Sequence, residues 1–172
     1  KTVMRKSTPD PNGKVWFVEH QRGLRWGMLD FDKVPAPSGT NLISDPEGAI
    51  EYLIGLLPED FWDASCVWQL SSSAGMNGED FICAHLFYYF DREVTNTELN
   101  ALVKQINSNA GHKLIDPAPF RTVQPHYTAA PLFDDDIPDP IQRRLGFRNG
   151  LEDEVIFPEI ELTDQVYTGS SD

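Results

Sequence analysis

The chain has 172 residues, a formal net charge of −13 and a hydrophobic content of 40%, which is enough to build one domain with a sizeable core. No apolar stretch is long enough to span a membrane and no signal peptide is recognisable, so we expect no membrane partner. Since nothing in the sequence demands a disulfide, we expect a reducing, cytoplasmic setting. Two scattered cysteines and four scattered histidines argue against a structural zinc site. The excess of acid argues against nucleic-acid binding over the whole surface, because phosphates are repelled by negative charge.

The first predicted elements are two strands, at residues 14–19 and 24–32, and the second ends in Asp30 and Asp32. Because successive side chains of a strand point to opposite faces, both carboxylates lie on one face. Two carboxylates this close repel each other unless a cation lies between them, and Mg²⁺ or Mn²⁺ takes oxygen ligands of this kind. We therefore predict a metal site that handles phosphates; the alternative is that the acids simply begin a solvated turn.

The chain then alternates between helical and extended patterns. Ser44 and Glu47 have the spacing of a capping box, and Thr95 and Glu98 repeat that spacing. Each pair precedes an apolar stripe with helical periodicity. In chain order, the remaining predictions are a helix from Pro46 ending at Pro58, a strand at 66–70, a loop at 71–78, a long strand at 81–90, a helix after Thr95, extended segments at 113–115 and 121–130, and an irregular acidic segment after Pro131.

From residue 24 onward this order is β-α-β-β-α-β, which is that of the ferredoxin-like fold. We expect an α+β protein with an antiparallel sheet, an extra N-terminal strand and an irregular acidic C-terminal segment. The expected division is a catalytic-type domain at residues 1–150 and an acidic arm or linker at 151–172. In this topology the first and third strands are central and the fourth flanks the first, which predicts that Asp30, His85 and Asp116 converge.

The loop before the long strand carries hydroxyl and glycine residues suited to phosphate: Ser71, Ser72, Ser73 and Gly75. Hydroxyls and unhindered backbone N–H groups can surround a triphosphate, and His85 would hold one phosphate oxygen from the same side. The alternatives are a solvated turn for the loop and a hydrogen-bonded core position for the histidine.

Three short motifs resemble those of the archaeo-eukaryotic primases, a superfamily that includes primase-polymerases of plasmids, phages and integrative elements. They are Leu29-Asp30-Phe31-Asp32, Cys83-Ala84-His85 and Leu114-Ile115-Asp116, which correspond to an Asp-x-Asp, a small-x-His and a hydrophobic-Asp. Residues 124–131 are similar to the segment that follows the third acid in these proteins, and the resemblance covers residues 14–148. Cys83 departs from the pattern, which usually has serine or a similar small residue there.

The resemblance implies a DNA primase-polymerase domain that transfers nucleotides from nucleoside triphosphates to a primer on a single-stranded DNA template. It implies that Asp30, Asp32 and Asp116 hold two Mg²⁺ or Mn²⁺ ions. His85 and the loop containing Ser71, Ser72, Ser73 and Gly75 would bind the triphosphate. Asp134, the first of three consecutive acids, is the alternative third acid. A helicase module, fused or separate, is an implied partner.

Two other functional classes remain open. One is a catalytically silent replication or nucleic-acid-binding module with the same fold, which the acidic charge would suit. The other is a glycosyltransferase with an Asp-x-Asp metal site, although such enzymes usually have a larger α/β domain. Since the chain begins at Lys1 rather than at methionine, we expect it to belong to a longer protein.

Overall fold

The computed structural model describes residues 8–17, 22–76, 80–134, 137–160 and 162. Its elements in chain order are β1 (Leu24–Pro35), α1 (Pro46–Gly55), a 3₁₀ turn (Glu59–Phe61), β2 (Cys66–Leu70), β3 (Phe81–Val94), α2 (Asn96–Ala110), β4 (Ile115–Asp116), a second 3₁₀ turn (Ala118–Phe120) and β5 (Leu145–Arg148). The strands form one antiparallel sheet in the order β4-β1-β3-β2-β5. The predicted α+β fold with a ferredoxin-like strand order is confirmed.

The two faces of the sheet differ in their cover. Alternate residues of the central strands, such as Phe31 in β1 and Leu86 in β3, are fully buried in one apolar core with the stripes of α1 and α2. The intervening residues of the same strands, such as Asp30 and His85, lie on the other face because strand side chains alternate. We call this second face the open face. The helices therefore leave the predicted site residues uncovered.

Only one of the two helices, α2, is capped by the residue that the sequence predicted. Thr95 caps α2 in the predicted capping box, accepting from the Glu98 amide while the Glu98 carboxylate accepts from the Thr95 amide. The predicted Ser44 cap of α1 is wrong, because Asp45 accepts from the Gly48 amide instead. Pro46 is the first helical residue, so the residue immediately before it takes the cap position.

The predicted N-terminal strand is not formed in the part of it that the structure describes. Residues 14–17 have no strand pairing, and residues 18–19 lie outside the described segments. The Asp10 carboxylate instead accepts from the backbone amides of Asn12 and Lys14 and from the Trp16 indole. A side chain that satisfies nearby backbone groups in this way competes with sheet formation.

The end of the sheet also differs from the prediction. Residues 121–130 form no strand, and β4 is only two residues long because Pro117 and the turn at Ala118–Phe120 follow it directly. The fifth strand is β5, which lies in the segment predicted to be irregular. It pairs with β2. Sequence periodicity missed β5 because it is short and contains Gly146.

The chain after β5 is partly folded onto the core. Val155 and Phe157 are buried, and Val155 exchanges backbone hydrogen bonds with β3 through Tyr89 and Asp91. Arg25 of β1 pairs with Glu154 at 2.8 Å. Apolar and charged contacts thus hold residues 154–157 against the central strands.

No helix in the described part of the chain combines the length and the apolar character that a membrane span needs.

The packing of β5 against β2 gives a test of the unexpected strand. Gly146 lies opposite Trp68, and a Cβ at this position would overlap the indole ring. Gly146→Ala should lower the free energy of unfolding by about 1–3 kcal/mol, because an added methyl group overpacks the core. Gly55→Ala is the control, since Gly55 ends α1 with open space around it. Equal stability of the two variants in urea unfolding would contradict the observed position of β5.

Candidate functional site

A cavity of about 250 Å³ opens on the open face, where β1 runs between β3 and β4. Seven of the eight predicted site residues line it: Asp30, Asp32, Ser71, Ser72, Ser73, His85 and Asp116. Gly75 is not among the lining residues, and neither is Asp134, the alternative third acid. The fold thus brings together side chains from β1, β3, β4 and the loop after β2.

The register of β1 explains the convergence. Asp30 lies directly opposite His85 of β3 on one side and opposite Asp116 of β4 on the other. Residues directly opposite in an antiparallel pair share a face, so all three side chains point into the cavity. His85 Nε2 is 3.5 Å from Asp30 Oδ1. The other ring nitrogen, Nδ1, is buried and has no hydrogen-bond partner within the described segments.

Asp32 and Lys33 form a bulge in β1. The pairing with β3 shifts between Phe31 and Val34, and Lys33 takes a left-handed conformation with φ of 55°. The Lys33 amide donates to Cys83 Sγ at 3.3 Å, and this sulfur lies 3.9 Å from Asp32 Oδ1. Bulges re-aim side chains in this way. Cys83, which stands where the primase pattern has serine, therefore supports the backbone beneath Asp32.

Asp116 has a partner for each of its oxygens. Oδ2 accepts from Lys113 Nζ at 2.8 Å, and Oδ1 accepts from the Ala118 amide at 2.9 Å. Burial opposes ionisation of Asp116, but these bonds bring the pKa of its carboxyl below the ordinary value. The hydrogen bond to Asp116 raises the pKa of Lys113, and the negative charges of Asp32 and Asp30 act in the same direction. Lys113 is thus a cation on which all three carboxylates act, and the charge of Arg121 also lowers the pKa of Asp116.

The carboxylates suit a hard divalent ion by their chemistry, since Mg²⁺ and Mn²⁺ prefer carboxylate oxygens. Their arrangement is not that of a closed metal site: across the described segments, no three side chains of the types His, Cys, Asp and Glu are grouped closely enough to hold an ion. Asp116 is turned toward Lys113 instead. A metal ion bound by all three acids would therefore require Asp116 to change its partner.

We call the loop that contains Ser71, Ser72, Ser73 and Gly75 the serine loop. A buried arginine binds its backbone. Arg144, which is 8% exposed, donates to the carbonyls of Ser71 at 2.7 Å and Ala74 at 3.2 Å. Its charge is balanced by Asp139, whose two oxygens each accept from it at 2.7 Å. The Ser71 and Ser73 hydroxyls lie 3.0 Å apart at the cavity. In the described part of the loop, residues 71–76, the backbone is thus anchored at Ser71 and Ala74, while Ser72 and Ser73 are exposed.

Gly75 shapes this loop from outside the cavity. Its φ of 76° is a left-handed conformation that favours glycine, and it packs against Ile141.

Two polar residues that sequence reasoning missed complete the site. Lys113 was assigned only to an extended segment, although its spacing of three residues from Asp116 was a usable signal. Gln69 of β2 is buried, lies opposite His85 and donates to the Thr128 carbonyl at 2.7 Å. That bond holds the segment that forms the far wall of the cavity: Gln124, Pro125, His126 and Tyr127. A lone glutamine in an apolar strand was the corresponding signal.

Beside the cavity the open face carries exposed aromatic and aliphatic side chains. Trp26 lies opposite Tyr89, and the Arg25 guanidinium lies over the Tyr89 ring at 4.9 Å. Val67 of β2 lies opposite Phe147 of β5. The side chains of Trp26, Tyr89, Val67 and Phe147 are between 39% and 53% exposed. We call Trp26, Tyr89, Val67 and Phe147 the apolar strip; exposed apolar surface of this kind commonly marks a binding site.

Comparison with known proteins gives one informative similarity. A protein of Escherichia phage T5 named "Putative replication origin binding protein" is 34% identical over 125 residues. The match covers 67% of this chain and 12% of the phage protein, so the chain spans about one eighth of that relative's length. No protein-family model matches the chain, and no solved structure matches it. Membership of the archaeo-eukaryotic primases therefore stays a prediction.

The arginine clamp of the serine loop can be tested by stability. Arg144→Gln should lower the free energy of unfolding by about 2–3 kcal/mol, because Asp139 and two carbonyls lose a buried charged partner. Arg143→Gln is the matched control: Arg143 is exposed and pairs with Glu47, and exposed pairs contribute about 1 kcal/mol or less. Equal urea midpoints for the two variants would contradict the clamp.

Proposed function

We propose that this chain is the nucleotidyltransferase domain of a DNA replication protein, with template-directed primase-polymerase activity. The observation that carries the proposal is the position of Asp30 between His85 and Asp116, in a cavity that also contains the serine loop. Acids for metal ions, a histidine and hydroxyls for phosphate are the groups that such a reaction needs in one place.

Asp30, Asp32 and Asp116 would hold Mg²⁺ or Mn²⁺. When bound there, such ions would activate a primer 3′-hydroxyl and would stabilise the negative charge on the leaving pyrophosphate. The protein's own groups orient the nucleoside triphosphate. His85 would donate a hydrogen bond to a phosphate oxygen, and the serine hydroxyls would donate to others. Because Arg144 fixes the loop, these donors are in place before the nucleotide arrives.

The phage relative supports a role in replication, since its name refers to a replication origin. The implied partners are nucleoside triphosphates, a single-stranded DNA template with its primer and a helicase module in the same or another chain. With a net charge of −13, the chain as a whole repels a phosphate backbone. Contact with DNA would therefore rely on local groups and on stacking of bases.

The apolar strip beside the cavity is the surface that suits such stacking. Trp26 and Tyr89 present exposed rings on adjacent strands, and bases of a single strand stack on aromatic side chains without sequence preference. On the same face, Asp30 follows Trp26 along β1 by four residues. A template strand lying on the strip would therefore lead toward the carboxylates.

A second candidate function is a catalytically silent DNA-binding module of the same fold. The observation in its favour is the bonding of Asp116, whose two oxygens are engaged by Lys113 and by the Ala118 amide. The name of the phage relative, which refers to binding, fits this alternative as well. No observation favours the glycosyltransferase alternative.

The two candidates are separated by primer extension with Mn²⁺ and a single-stranded template. We expect wild-type protein to extend the primer and Asp30→Asn to lose at least about a hundredfold in rate, because the central metal ligand is removed. Asp60→Asn, at an exposed position in the first 3₁₀ turn, is the control and should retain activity. DNA binding without product by the wild type would refute the enzyme and favour the silent module.

The stacking surface is tested by the affinity for a fluorescently labelled oligothymidylate, measured by anisotropy. Trp26→Ala should weaken binding by about tenfold, as expected for loss of one stacked base. Trp62→Ala is the matched control, because Trp62 lies after α1 and donates its indole N–H to the Leu57 carbonyl. If both variants bind like the wild type, the strip does not carry the DNA.

A further inference from the structure

We propose that Lys113 is a built-in competitor for the metal ions of this site: its ammonium holds Asp116, and it must leave before a divalent ion can bind there. The inference rests on the proposed function, since it concerns the same three carboxylates. It adds a residue that controls how easily metal binds and what must accompany it.

The need for Lys113 arises from the register of the sheet. Asp30 and Asp116 lie directly opposite each other on adjacent strands, and like charges in this position destabilise strand pairing. β4 is only two residues long, and Asn107 of α2 binds the backbone of Leu114 and Ile115. Those hydrogen bonds hold the strand in place but do not neutralise the two carboxylates. The Lys113 ammonium, 2.8 Å from Asp116 Oδ2, supplies the missing positive charge. In the absence of metal, this contact lets the two acids remain neighbours.

The two oxygens of Asp116 have different freedom to change partner. Oδ1 accepts from the Ala118 amide, a backbone bond that sets the turn after β4. Within the segments that the structure describes, Oδ2 is bound by Lys113, whose side chain is 56% exposed. An exposed ion pair is weak and its lysine is flexible, so Oδ2 is the oxygen that can pass to a metal ion. Metal binding through Oδ2 then leaves the Lys113 ammonium without its partner.

This exchange favours a metal–nucleotide complex over a free metal ion. A free divalent ion supplies a cation for Asp116 but leaves Lys113 unpaired. A metal-bound triphosphate supplies both the cation for Asp116 and phosphate oxygens for the released ammonium. Lys113 therefore opposes metal binding until the nucleotide is present, and it belongs to the binding step rather than to the chemical step.

The experiment measures Mn²⁺ affinity of the nucleotide-free protein, from the electron paramagnetic resonance signal of unbound Mn²⁺. Lys113→Gln should bind Mn²⁺ about five-fold more tightly than the wild type, because the competing surface ion pair is removed. Lys104→Gln, on an exposed position of α2, removes the same charge elsewhere and should change the affinity by less than about two-fold. Lys113→Arg keeps the charge and should not bind more tightly than the wild type.

Asp30→Asn separates failure of this inference from failure of the proposed function. If Asp30→Asn loses Mn²⁺ binding while Lys113→Gln and Lys104→Gln bind equally, the metal site stands and the role of Lys113 is refuted. If the wild type and Lys113→Gln both fail to bind Mn²⁺, the metal-dependent function and the inference are refuted together. Thermal unfolding of each variant without metal verifies that it is folded.

Discussion

The arrangement of the site depends on one constraint, the antiparallel pairing that puts Asp30 between His85 and Asp116. A central strand has two neighbours. Asp30 therefore lies beside both His85, which is 55 residues later in the sequence, and Asp116, which is 86 residues later. The same pairing forces two carboxylates to face each other. Such a pair destabilises the strand pairing unless positive charge lies nearby; here Lys113 pairs with Asp116, and the charge of Arg121 also acts on that carboxyl.

The second requirement is that the wall facing these acids keeps its shape. The serine loop consists largely of small polar residues, which form few contacts with one another. Its conformation is instead set by residues outside the loop. Arg144 binds two loop carbonyls and is itself neutralised by Asp139, while Gly75 packs against Ile141. Residues after Pro131, which look irregular in sequence, therefore contribute directly to the shape of the candidate phosphate site.

The division between the two faces of the sheet connects stability with function. The buried face receives the stripes of α1 and α2 and contains the core. The open face has the carboxylates, His85 and the apolar strip, and it keeps polar groups that a core could not accommodate without partners. His85 illustrates the balance: it is only 12% exposed, and its Nδ1 has no hydrogen-bond partner in the described segments. A group buried in this state is one that a ligand can satisfy.

The sequence by itself determined the order of the main elements and the set of residues that converge. Helical stripes after Asp45 and Thr95, the apolar runs of β1 and β3, and the capping box of α2 are local patterns, which do not depend on contacts between distant segments. The β-α-β-β-α-β order then implied which strands are neighbours, and that sufficed to predict the meeting of Asp30, His85 and Asp116 and to prefer Asp116 over Asp134.

Only the tertiary structure decided the features that depend on distant partners. Strand β5 forms because Gly146 fits against Trp68, and no periodicity in four residues could have indicated it. The proposed N-terminal strand failed where Asp10 satisfied the backbone locally. The partners of Cys83 and Arg144 follow from a bulge and a buried charge, each set by contacts between segments far apart in sequence. Those of Asp116 are local, since Lys113 and Ala118 lie within three residues of it. Pairwise charge and packing in three dimensions are not encoded in any short stretch of the chain, which is why these details required the folded molecule.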